Sequence, residues 1–136
     1  MVRIFPMLVV LTALANPGFA QFNRTAVSVA GNDANDCSVN APCRSFSRAI
    51  DQTVAHGEVI ALDSGGYGPF SVTQPLTVTA APGARASLTA TSGPGVDILV
   101  PSPAQVVTIS NLSLIGGGSH SGIAVSSGRA VVVRNV

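Results

Sequence analysis

The sequence predicts an all-β protein wound from many short strands, with a single helix near its start. Three observations carry this. Apolar and polar residues alternate in short runs separated by Gly, Ser and Pro. One stretch alone has the i, i+4 spacing of a helix. The end of the chain also repeats what precedes it. "GVDILV" (95–100) returns as "GIAVSS" (122–127), and "VVTISNL" (106–112) returns as "AVVVRNV" (130–136). Gly95 thus recurs as Gly122, and Asn111 as Asn135. A period in the twenties is that of a solenoid, in which each turn of chain stacks on the last.

The start of the chain stands apart from this pattern. Arg3 supplies a positive start, "IFPMLVVLTALA" an apolar run too short to cross a bilayer, and "NPGFA" a breaker with small residues at Gly18 and Ala20. This is the layout of a secretory leader, with cleavage predicted between Ala20 and Gln21. Export to the outside or the periplasm is therefore expected, with no membrane span after cleavage.

Composition excludes several classes of function. Beyond Arg3 the chain carries six Arg, no Lys and six acidic residues. That balance lacks the basic face that nucleic acid requires. Trp is absent and aromatics make up 4% of the chain. Gly, Ser, Thr, Val and Ala dominate, as suits short strands and turns and not a helix bundle.

Taken in order, "AVSVA" (26–30) reads as a strand and "GNDANDCSVNAPC" (31–43) as turn chemistry. Cys37 and Cys43 lie in that loop. An even count at short spacing in an exported chain predicts a disulfide, worth about 2 kcal/mol for so small a loop. A helix is expected next, with Ser45 as N-cap and Phe46, Ile50 and Val54 on one face. His56 falls in its last turn and Gly57 at its end. After Gly57 every segment reads as strand. "EVIALD" (58–63) would turn Ile60 and Leu62 to one side, and "SGGYGP" (64–69) is a turn. "FSVTQPLTVTA" (70–80) gives two strands cornered at Pro75, and "APGARA" (81–86) turns again. Then come "SLTA", "GVDILV", "VVTISNLSLI", "GIAVSS" and "AVVVRNV". The expected organisation is a leader (1–20), a strand, Cys loop and capping helix (21–57), and coils (58–136).

One irregularity locates the corners. Val107 and Ile109 alternate with polar residues, but the apolar phase restarts one step late, at Leu112 and Leu114. Asn111 stands at the slip. Asparagine tolerates the left-handed backbone that a tight corner needs. In the repeat register Asn135 stacks over Asn111, one strand spacing of about 4.8 Å away. The two amides form an expected ladder at the corner.

The stretch 27–72 resembles the opening of bacterial secreted β-helix proteins. The shared skeleton is Gly31-Asn32-Asp33, Pro42, Phe46, Ala49-Ile50, Gly57, Val59-Ile60 and Gly66-Tyr67. The later half looks like the coils of a right-handed parallel β-helix of the pectate-lyase-like kind. The resemblance implies that the helix caps the N-terminal end of the solenoid. Such an end exposes apolar residues and strand edges and needs a cover. The chain stops at Val136, one residue past a corner, where related coils run on. The expectation is a truncated or fragmentary chain, or one capped there by a partner.

Candidate sites are few. Lyases of this fold use an Arg or Lys base and stacked carboxylates that hold Ca²⁺. This chain has no Lys. Asp97 falls beside Ala124 in the repeat register, and Arg134 beside Ser110. Asp33 and Asp36 have the residue type for Ca²⁺, with turn formation and helix capping as the commoner role. Asp63 and Tyr67 flank a Gly pair and could edge a sugar-binding strip. His120, between Ser119 and Ser121, has no acid or Cys near it in sequence and reads as an exposed loop residue. No zinc set is present in the sequence. The expected function is a non-catalytic module, structural or carbohydrate-interacting, that takes an extended polysaccharide along a flat face. The alternative is the N-terminal part of a polysaccharide lyase or other carbohydrate-active enzyme whose catalytic coils lie elsewhere.

Overall fold

The computed structural model describes residues 21–102, 105–116, 120–127 and 130–136. The leader and its cleavage point at Ala20 lie outside the described residues.

The chain opens with strand β1 (Phe22–Val27), whose last three residues are buried. Helix α1 (Phe46–Asp51) follows the Cys loop. Then come β2 (Thr53–Ala61), β3 (Gly65–Gly66), β4 (Phe70–Val72) and β5 (Thr77–Ala80). They are followed by β6 (Ala86–Ala90), β7 (Val96–Leu99) and β8 (Val106–Ser110). The last are β9 (Leu112–Gly116), β10 (Ile123–Ser127) and β11 (Ala130–Arg134). Every pairing among them is parallel.

The strands form three sheets, in the orders β1-β2-β5-β8-β11, β4-β7-β10 and β3-β6-β9. From β2 onward the chain visits the three sheets in rotation, so each strand pairs with the one three elements on. This follows from the residue pattern. Each strand is too short to close a sheet alone, and the turns between them are rich in Gly, Pro and Ser. Alternate residues face one shared interior. Val59, Val78, Ile109 and Val107 are fully buried from the first sheet, with Val72, Val96 and Ile98 from the second and Ala86 and Leu88 from the third. Burying such aliphatic side chains as Val, Ile and Leu stabilises the fold by about 1.5–3 kcal/mol each.

The repeat register holds in the backbone. Val131 pairs with Val107, Val133 with Ile109 and Arg134 with Ser110. Ile123 pairs with Val96 and Ala124 with Asp97. At the corners, Asn111 (φ 56°) and Asn135 (φ 51°) both adopt the left-handed conformation.

Four local expectations are corrected. The helix ends at Asp51, with Gln52 as its C-cap (φ −91°, ψ −3°), and does not reach Gly57. Thr53 and Val54 are β-branched and favour extended backbone. Thr53 is fully buried, and its hydroxyl donates to the Ala49 carbonyl at 2.6 Å and meets the Thr25 hydroxyl at 2.8 Å. The following residues form an irregular stretch of β2 opposite β1, with His56 at φ 65°. The phase of "EVIALD" is also the reverse of that expected, because Val59 and Ala61 point inward. The first strand lies earlier, at Phe22–Val27. Gly65–Gly66, read as turn, makes a short strand with Ala86 and Ser87.

The N-terminal end is covered. Ala26 donates to the Cys37 carbonyl at 2.7 Å, Cys43 to the Ala26 carbonyl at 3.0 Å and Ser28 to the Cys43 carbonyl at 2.9 Å, so the Cys loop lies along the free side of β1. Helix α1 packs on β1, β2 and β4. Its Phe46 ring sits 4.7 Å from Phe70 and 5.2 Å from Tyr67, centroid to centroid. Gln74 reaches back to donate to the carbonyls of Ile50 and Thr53, at 3.3 and 2.8 Å.

Candidate functional site

Cys37 and Cys43 are joined in a disulfide, and both are fully buried. Stable disulfides belong to oxidising compartments. Among the described residues no helix is long and apolar enough to cross a membrane.

The acidic residues singled out from the sequence are engaged in the fold. Asp33 Oδ1 accepts the backbone N–H groups of Arg44 and Ser45, both at 2.8 Å, and Oδ2 accepts the Ser45 hydroxyl at 2.8 Å. Ser45 in turn caps α1, accepting from Arg48 N at 3.2 Å. Burial alone raises the Asp33 carboxyl, but the Ser45 and Arg44 hydrogen bonds and the Arg48 charge outweigh it and hold it below its ordinary value. Asp36 accepts the Ser38 N–H at 2.9 Å, which likewise lowers its carboxyl. Among the described residues no three His, Cys, Asp or Glu gather as a metal would require.

Asp63 ties two turns together. It accepts the Ser28 hydroxyl at 2.6 Å and the Val29 N–H at 3.0 Å, and the Tyr67 hydroxyl also donates to its carboxylate. Burial raises its carboxyl, and these donors more than offset that, so it stays low. Burial and the adjoining carboxylate push the Tyr67 phenol well up. The Tyr67 ring is buried, with the Arg44 guanidinium 5.6 Å above it. Asp63 and Tyr67 are thus spent on joining turns, and the site described next is built without them. His120 is exposed.

Two grooves stand out on the surface of the described residues. One, of about 490 Å³, runs along the asparagine corner and is edged by Arg85, Asn111, Ser113 and Asn135. The other, of about 450 Å³, lies where α1 meets β4 and β7. Its polar lining comes from three parts of the chain. Ser47 and Asp51 stand one helical turn apart on α1. Ser71 projects from β4 between inward Phe70 and Val72, and Thr73 follows it. Asp97 projects from β7 beside Ser71, its register partner, and accepts the Ser126 hydroxyl at 2.7 Å. Pro69 and Pro94 form rigid apolar edges. Sequence reading placed Asp97 beside Ala124 but missed this gathering. Its residues are distant in sequence and share no spacing.

Chemically the groove holds three hydroxyls that donate and accept and two carboxylates that, when ionised, can accept but not donate. These groups can hydrogen-bond a polar ligand, with the apolar proline rings beside them. No family model, curated protein or solved structure matches the chain.

Proposed function

We propose that this protein is an exported, non-catalytic β-helix module that binds an extended polysaccharide in the groove between α1, β4 and β7. The three parallel sheets, visited in rotation, are on this reading the walls of a right-handed solenoid of the pectate-lyase-like kind, with α1 as its N-terminal cap. The leader pattern of residues 1–20 and the buried Cys37–Cys43 bridge support export.

One observation carries the binding reading. Ser47, Asp51, Ser71, Thr73 and Asp97 converge from three segments on a single groove with rigid apolar edges. Binding sites combine an apolar surface with a few convergent polar groups in this way. Ser71 and Asp97 sit side by side on neighbouring strands, so polar groups step across the groove from strand to strand. That suits a chain and not a small compact ligand.

The test is retention of the purified protein on immobilised and soluble polysaccharides, with the length of the glycan followed over time. Retention without shortening of the glycan, lost on Ser71→Trp and kept on Thr108→Trp in another sheet, is the expected result. Cleavage products, or retention indifferent to Ser71→Trp, would overturn it.

A further inference from the structure

Resting on the glycan reading, we infer that the groove between α1, β4 and β7 selects a polysaccharide bearing positive charge, an amino-sugar chain with free amines. Among the described residues, the only charged side chains that line it are the carboxylates of Asp51 and Asp97. The arginines nearest in sequence to α1 are directed elsewhere. Arg24 pairs with Glu58, Arg44 donates to the Gly66 carbonyl at 2.9 Å and Arg48 to the Asp33 carbonyl at 3.2 Å. The groove thus offers acceptors in excess and negative charge with no neutralising cation on its described lining.

A ligand must complement both properties. A protonated amine brings three donors and a positive charge. An N-acetylated sugar brings one neutral amide donor there, with a carbonyl acceptor beside it and no charge. A uronate brings a third carboxylate to two already present, and like charges at close range repel. The order of preference is therefore amino sugar, neutral sugar, acidic sugar. The Asp97 carboxylate is already oriented by the Ser126 hydroxyl at 2.7 Å, so little ordering is required of it on binding.

Titration calorimetry with three hexasaccharide probes tests this in mildly acidic buffer of low ionic strength. The probes are glucosamine, N-acetylglucosamine and galacturonate oligomers. The glucosamine oligomer is expected to bind about tenfold tighter than its acetylated counterpart, roughly threefold from each solvent-accessible carboxylate. The advantage should vanish at about 0.5 M salt. Asp51→Asn with Asp97→Asn should bring the affinities for the amine and acetylated probes together, chiefly through weaker binding of the amine. Asn retains an acceptor for Ser126, and an unaltered thermal midpoint verifies folding of the double variant. Equal affinity for amine and acetylated probes, or tightest binding of galacturonate, overturns the charge selection and leaves the glycan reading standing. Failure of all three probes to bind overturns both.

Discussion

The side-chain amide of Asn135 donates to the side-chain oxygen of Asn111 at 3.2 Å, across one strand spacing, and both residues hold left-handed backbone. Asn111 passes the contact on, its own amide reaching the Thr79 hydroxyl at 3.3 Å. The corner is thereby stitched over three neighbouring strands, β5, β8 and β11. Asn111→Ala should cost about 2 kcal/mol, combining left-handed strain with the lost bonds. Asn111→Gly should cost about 1 kcal/mol or less, since glycine restores the backbone but not the ladder. Urea midpoints of the two variants check the order.

The disulfide fastens a loop whose backbone lies on β1. Replacing Cys37 and Cys43 together by Ala should destabilise by about 2 kcal/mol, the value for a short closed loop. Because both sulfurs are buried, a mild reductant should act slowly on the folded protein and fast once urea is added. Thiol labelling followed in time measures both rates.

Gly31 makes a close approach to backbone. A Cβ there would lie 2.2 Å from the Cys43 carbonyl oxygen and 2.8 Å from that of Pro42. Gly31→Ala should therefore cost about 2 kcal/mol or more through forced backbone movement. Gly66→Ala, with nothing within 4 Å, is the control and should change stability little. Thermal unfolding of the pair distinguishes them.

Acid should loosen the N-terminal end. The Asp33 and Asp63 carboxyls are held below their ordinary values in the fold by the donors around them. A depressed carboxylate contributes stability in full above its unfolded value, near pH 4, and loses it as pH falls through the folded value. Stability should hold from pH 7 to about pH 4 and decline below. Asp33→Asn with Asp63→Asn should flatten that decline. Urea midpoints measured down to about pH 2 follow it.

Much of the strand layout was legible because period-2 alternation and turn residues are local signals. From Phe70 onward each predicted strand has its counterpart. The pairing of Asp97 with Ala124 and of Ser110 with Arg134 follows the offsets of the repeat. The helix end was not legible. Phe46, Ile50 and Val54 keep helical spacing, while part of what holds the helix end in place comes from Thr25 and Gln74, both far in sequence from their partners. The earlier repeats were hidden by unequal length. Val59 neighbours Val78, and Val78 neighbours Ile109, yet the second step takes far more chain than the first. The groove was invisible for a related reason. Ser47, Ser71 and Asp97 carry no shared motif and meet only through the docking of α1 and the pairing of β4 with β7.

Those unequal steps separate two tasks along the chain. The strands act as a ruler, keeping Val59, Val78, Ile109 and Val133 in one file although no two of the intervening stretches are equally long. The bends take up the difference. Residues can be gained or lost at a bend without moving any member of the file. The outward surface can therefore be re-cut, one bend at a time, on an interior that does not register the change.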